Sequence, residues 1–182
     1  MAAVSWRRAA PWLILFALLA AAGLGALDHL FGTGGSGGRA SVRPGATFEG
    51  SVTRVVDGDT VHVRIGDRAE TVRYIGMDTP ETVKPDTPVQ CFGKAASAAN
   101  RRLVDGQRVR LRIDAEPRDR YGRLLAYVYR LRDGLFVNGA LVRQGFATIL
   151  TIPPNVRHAR ALRSMERRAR RQRRGLWGAC AR

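Results

Sequence analysis

Short alternating runs, closed by Asp-Gly and Gly-Asp turns, constrain this chain more than anything else in it. Phe48 to Val56 reads as a first strand, ended by Asp57-Gly58-Asp59. Thr60 to Ile65 alternates, with Val61, Val63 and Ile65 on one face and His62 and Arg64 on the other. Gly66-Asp67 turns the chain, and Ala69 to Met77 forms a third strand. Gln107 to Ala115 repeats the pattern, with Val109, Leu111 and Ile113 inward and Arg108, Arg110 and Arg112 outward. Arg123 to Leu131 is a fifth strand. A period of two broken by Gly and Asp is the signature of half-buried strands joined by tight turns. Laid flat, such a set leaves two unpaired edges; closure into a small barrel removes them.

Three helices accompany the strands. Phe92 to Val104 carries Ala95, Ala99 and Leu103 on one stripe and ends at Asp105-Gly106. Val137 to Gln144 is closed by Gly145, and Asn155 to Arg173 is longer and basic, with Ala161, Leu162, Met165 and Ala169 available to dock on the barrel. The segment Asp78 to Gln90 holds three prolines and no periodicity, so it reads as loop. The expected class is α+β, an OB-type five-stranded β-barrel with three helices.

The chain of 182 residues holds one such domain and no second. A charge-free stretch from Ala9 to Leu27 follows Arg7 and Arg8 and would span about 28 Å as a helix, near the thickness of a hydrocarbon core. Residues 1–31 therefore read as an N-terminal transmembrane anchor, oriented by its basic flank, or as a cleaved signal peptide with small residues at Ala20-Ala21-Ala22. Either reading puts the domain outside the cytoplasm, anchored in one case and secreted in the other. Residues 32–46 are a Gly-rich linker, and residues 47–182 form the domain proper.

The formal net charge is +16. Residues 48–156 are nearly balanced, whereas residues 157–182 carry ten Arg and one Glu. Such a field favours polyanions: nucleic acid, anionic lipid or acidic polysaccharide. The basic helix reads as a non-specific phosphate attractor outside the active site, with a plain solvated face as the competing reading. Two cysteines, Cys91 and Cys180, exclude a disulfide-dense scaffold; export would let them pair.

The densest chemistry lies at Asp57-Gly58-Asp59-Thr60 and Asp78-Thr79-Pro80-Glu81. A turn and a helix cap account for each alone. Together, on adjacent strand ends, their carboxylates suit Ca²⁺ or Mg²⁺. Arg73 and Arg123 complete a set suited to phosphoryl chemistry, in which a cation and guanidinium forks neutralise developing charge.

Four motifs in order resemble the staphylococcal nuclease (thermonuclease) family: Val55-Val56-Asp57-Gly58-Asp59-Thr60-Val61, Arg73 through Glu81, Asp119-Arg120-Tyr121-Gly122-Arg123-Leu124-Leu125-Ala126-Tyr127, and Asn138 through Gly145. The resemblance covers about Thr47 to Trp177 and implies an endonuclease, a phosphodiester hydrolase that cleaves DNA and RNA with Ca²⁺ and leaves 3′-phosphates. It implies Asp59 and Asp78 as metal ligands with the Thr79 carbonyl, Glu81 as the group that positions or deprotonates water, and Arg73 and Arg123 as the phosphate clamp. Arg120 and Tyr121 become candidate contacts to a flanking phosphate and sugar. Members of the family carry tyrosines before the Pro-Asn turn; here Thr148 to Ile152 holds no aromatic residue. Base stacking, worth about 1–3 kcal/mol per base, is missing from that stretch. The expected partners are DNA and RNA, with the membrane through the N-terminal helix, and the domain is expected to be a monomer. The alternative is a non-catalytic OB-fold module that binds nucleic acid while tethered to the membrane; a further one is an anchored basic protein holding anionic lipid or cell-wall polymer.

Overall fold

The computed structural model describes residues 42–82 and 88–180. The expected anchor or signal segment and nearly all of the Gly-rich linker lie outside the described residues. Among the described residues no helix is long and apolar enough to cross a membrane.

Five strands close into a barrel: β1 (Thr47–Val55), β2 (Thr60–Ile65), β3 (Arg68–Tyr74), β5 (Arg108–Arg112) and β6 (Leu124–Arg130), in the order β1-β2-β3-β6-β5. β5 pairs back onto β1, and β3 pairs with β6 in parallel, the one parallel contact of the barrel. This is the strand order of an OB-type barrel, within an α+β domain. Alternation fills the inside: Val61, Val63, Val72, Val109, Leu111 and Ile113 are buried, as are Leu124, Ala126 and Val128 from β6. Val42 and Ala46 also pack against this core, ahead of β1.

The third predicted strand, Ala69 to Met77, is two strands. The chain breaks at Ile75, and Gly76 has φ +81°, so β4 (Gly76–Asp78) leaves the barrel. It pairs antiparallel with β7 (Thr148–Leu150), an element absent from the sequence reading. Gly76 has a second reason to lack a side chain: its Cβ would lie 2.6 Å from Leu162 Cδ1. Asn138, fully buried, ties the break together. Its Oδ1 accepts from Val128 N, and its Nδ2 donates to the carbonyl of Ile75. A buried amide bonded on both ends is stabilising, whereas half-bonded it would cost more than an apolar residue.

Among the described residues the helices are α1 (Gly93–Val104), α2 (Val137–Arg143), α3 (Ala159–Arg171) and a short fourth, α4 (Leu176–Ala179), where three were expected in the domain. The buried stripe of α1 is Ala96, Ala99, Asn100 and Val104; of the expected stripe Ala99 is buried, Leu103 packs partly buried against the core, and Ala95 is half-buried. Buried Asn100 is bonded at both ends of its amide: it accepts from Tyr74 Oη at 3.0 Å and donates to the carbonyl of Asp57 at 3.0 Å. α3 starts at Ala159, four residues later than predicted, because Asn155 spends its side chain on the backbone N and O of Glu116. Leu162 and Ala169 are buried on α3 and Met165 packs against the core, whereas Ala161 is exposed.

Cys91 and Cys180 are joined by a disulfide across 89 residues of sequence. It fastens the C-terminal turn to the start of α1. The chain-entropy argument gives such a loop about 4–5 kcal/mol of stabilisation. Reduction should therefore lower the melting temperature by about 10 °C or more. Differential scanning calorimetry of oxidised and reduced protein checks this; equal melting temperatures would show that the bridge contributes nothing.

Candidate active site

Strand register assembles the site. In β3, Arg73 stands opposite Thr60 of β2 on one side and Leu125 of β6 on the other. Asp59 precedes Thr60, and Arg123 lies two residues before Leu125, so one arginine is flanked by an acid and a second arginine far away in sequence. The Asp59 carbonyl accepts from Tyr74 N at 2.9 Å, which locks this juxtaposition. β4 then turns out of the barrel and brings Asp78 and Thr79 back over the same end.

The turn at residues 57–60 is a tight hairpin, with Val56 N donating to Thr60 O at 3.0 Å. Gly58 is required by close approach: a Cβ there would lie 2.6 Å from Thr79 Cγ2. Thr79 uses that room to donate twice to Asp59 Oδ2, from N at 2.8 Å and from Oγ1 at 2.9 Å. Thr60 Oγ1 donates to Asp59 Oδ1 at 3.2 Å. Asp59 is only 5% exposed, so these donors and Arg73 offset the cost of burying its charge.

Arg73 bridges two carboxylates. Nη1 meets Asp59 Oδ1, and Nη2 donates to Asp78 Oδ1 at 2.5 Å. A cation thus already lies between two acids that alone would repel. The cavity they share, about 210 Å³, is lined by Asp57, Asp59, Arg73, Asp78, Thr79, Glu81 and Arg123, among others. The Glu81 backbone is clasped by Gln90: Glu81 N donates to Gln90 Oε1 at 2.9 Å, and Gln90 N donates to Glu81 O at 3.0 Å. Glu81 Oε1 accepts from Thr82 N at 2.9 Å. Asp119 holds Arg123, accepting from Nε at 2.6 Å and from the backbone N at 2.9 Å.

A family model described as staphylococcal nuclease homologue matches residues 71–179. The chain is 45% identical over 126 residues to the thermonuclease of Staphylococcus intermedius, covering 69% of this chain and 74% of the relative. This chain belongs to the staphylococcal nuclease family. It is 40% identical over 126 residues to the thermonuclease of Staphylococcus hyicus, covering 69% of this chain and 73% of that one. It is 39% identical over 129 residues to endonuclease YncB of Bacillus subtilis (strain 168), covering 70% of this chain and 60% of the relative. The protein is a phosphodiester-hydrolysing nuclease.

Could the nuclease site hold a metal? Among the described residues no group of three or more His, Cys, Asp or Glu side chains converges. Asp59 and Asp78 supply hard oxygens to the lining of the cavity. That donor set fits a hard divalent cation with a mixed oxygen shell and does not fit zinc.

A second cavity, about 450 Å³, adjoins the first and shares Arg73 and Arg123 with it. Its lining includes Tyr121, Leu125, Leu150 and Ile152. Arg120 and Tyr121 sit together at this cavity: Arg120 Nη2 donates to Tyr121 Oη at 2.6 Å, and its guanidinium lies 4.8 Å from the ring centroid. Leu150 and Ile152 are exposed there, in the stretch where aromatic residues are missing.

Asp57, part of the acidic cluster in the sequence but given no role there, lines the same cavity as Asp59 and Asp78. Its Oδ1 accepts from Asp59 N at 2.9 Å. Burial, and then the Asp59 charge, push its carboxyl up to about 6. Burial also raises Asp78, with Arg73 opposing. A raised acid favours folding while protonated, so stability should fall as pH rises from about 4 to about 6, and the loss should be complete above that window. Asp57→Asn keeps the acceptor and removes the charge. In EDTA it should stabilise the fold by up to about 3 kcal/mol at pH 7.5 and by nothing at pH 4. Thermal melts at the two pH values check this, and equal gains at both would overturn it.

Proposed function

We propose that this nuclease is a Ca²⁺-dependent endonuclease acting on both DNA and RNA at the phosphorus–O5′ bond and leaving 3′-phosphates. The observation that carries the reading is the meeting of Asp59, Asp78, Arg73, Arg123 and Glu81 around one cavity, from three separate stretches of chain. Asp59, Asp78 and the Thr79 carbonyl would hold the cation, which supplies Lewis-acid polarisation of the scissile phosphate. Arg73 and Arg123 grip the remaining phosphate oxygens and stabilise the charge that builds on them. Glu81 orients the attacking water or takes its proton as the oxygen–phosphorus bond forms. The phosphorus–O5′ bond breaks, and the 5′ oxygen takes a proton from solvent and departs as a hydroxyl. Arg120 and Tyr121 contact a flanking phosphate and sugar at the second cavity, and a base packs there against Leu150 and Ile152 instead of stacking on aromatic rings.

The domain works as a monomer outside the cytoplasm, held to the membrane by residues 1–31 or released if that segment is cleaved.

Digestion of plasmid DNA and of single-stranded RNA by the full chain tests the chemistry. Activity should require added Ca²⁺, disappear in EDTA, and leave ends that resist ligation until the 3′-phosphate is removed and the 5′-hydroxyl is phosphorylated. Full activity in EDTA would sink the metal assignment, and 5′-phosphate ends would sink the bond assignment.

A further inference from the structure

We propose that the outer face of α3 is a second nucleic-acid site, a phosphate rail that holds a long duplex while the cavity cleaves it. This rests on the nuclease reading above and adds a binding surface outside its catalytic cavity.

Arg160, Arg163, Arg167 and Arg171 recur at three- and four-residue spacing and fall along one side of the helix. All four are exposed. The buried residues of α3, Leu162 and Ala169, lie on the opposite side. From Arg160 to Arg171 the rail is about 16 Å long, matching roughly five phosphates of one strand. Among the described residues none of the four has an acidic partner. Glu166, the acid of this helix, is turned inward: it accepts from Ile149 N at 3.1 Å and takes Arg170 at 3.2 Å. The four guanidinium groups are therefore left uncompensated on a shared face, in the form best suited to phosphate oxygens.

Placement ties the rail to catalysis. Glu166 bonds the backbone of β7, and Leu162 packs against Gly76 of β4. The two-stranded ribbon that α3 backs also carries Asp78, and its Leu150 lines the larger cavity. On this proposal a polymer seated at the cavity passes the ribbon and continues round α3 to its outer face.

An anionic membrane offers the same phosphate chemistry. A helix that enters a membrane interface needs a free apolar face. Here Leu162, Ala169 and Met165 are already packed against the protein core. Nucleic acid, which asks only for charge at the right spacing, is the better fit.

The test compares the full chain with a variant carrying Arg160→Gln, Arg163→Gln, Arg167→Gln and Arg171→Gln. A control loses the same charge elsewhere through Arg54→Gln, Arg64→Gln, Arg101→Gln and Arg102→Gln, all exposed positions. Each is assayed on a 40-base-pair duplex and on a tetranucleotide too short to leave the cavity. The rail variant should raise KM on the duplex at least tenfold with kcat unchanged. It should also flatten the slope of log kcat/KM against log salt by about 3 and leave the tetranucleotide unaffected. The control should lie near wild type. Equal losses on both substrates, equal losses in rail and control variants, or an unchanged salt slope would each overturn the proposal. Reduced binding to phosphatidylglycerol vesicles with unchanged duplex kinetics would assign the face to lipid and overturn it too. Wild-type cleavage of the tetranucleotide is the separate check on the nuclease chemistry, and melting curves of the variants check folding.

Discussion

Asp59→Asn should reduce kcat/KM for DNA by about a thousandfold or more, at least ~4 kcal/mol of transition-state stabilisation, and excess Ca²⁺ should not restore it. The amide oxygen can still accept from Thr79, while an NH₂ takes the place of the oxygen that serves Thr60 and Arg73, and the charge that faces Arg73 and would face a cation is lost. Asn is the informative replacement. Asp59→Ala would also strip the acceptor from Thr79 N and leave Arg73 with Asp78 as its remaining acidic partner in this pair, so lost folding would blur lost chemistry. Steady-state kinetics with a melting curve on the same sample decide the matter. Activity within tenfold of wild type would remove Asp59 from the centre of the reaction.

Arg73→Lys should cost nearly as much. Arg73 reaches Asp59 with one terminal nitrogen and Asp78 with the other, a span that a single ammonium cannot cover. Lysine keeps the charge and loses the planar fork. A loss of about 2–4 kcal/mol in kcat/KM is expected, comparable to removing an oxyanion donor. The effect should appear in kcat as well as KM, because the fork acts on charge that develops during the reaction. A change below tenfold would make Arg73 a structural bridge and leave the phosphate to Arg123.

The barrel was legible because its strands alternate. Val61 and Val63, and Val109, Leu111 and Ile113, point inward in the structure as their spacing requires. What escaped was decided by contacts distant in sequence. In Ala69 to Met77 the local sign of a break is Gly76 alone, and nothing local says that it turns the chain away to let Leu162 in. β7 is only three residues long and exists because β4 offers it an edge. The inward face of α1 keeps Ala99 and Leu103 but also takes in Asn100, polar and unremarkable in the sequence, which serves Tyr74 and Asp57 at once. The site was legible by motif and not by pattern. Asp59, Arg73 and Arg123 meet through the register of β2 on β3 and the parallel register of β3 on β6, and single-strand periodicity carries no register. Asp57 looked like an ordinary turn residue, and only the burial of its carboxyl beside Asp59 sets it apart.

The bond between Cys91 and Cys180 makes a covalent ring of everything between them. Asp59, Arg73, Asp78 and Glu81 lie upstream of that ring, while Arg123 and the arginines of α3 lie on it. A protease that cuts once anywhere from residue 92 to residue 179 opens the ring without releasing a fragment. Both cut ends stay threaded into the same barrel and helices, so a nicked molecule keeps its acids and its arginines together. This is tolerance to a single cut, and it would be visible as two bands on a reducing gel, one band on a non-reducing gel, and retained cleavage of DNA.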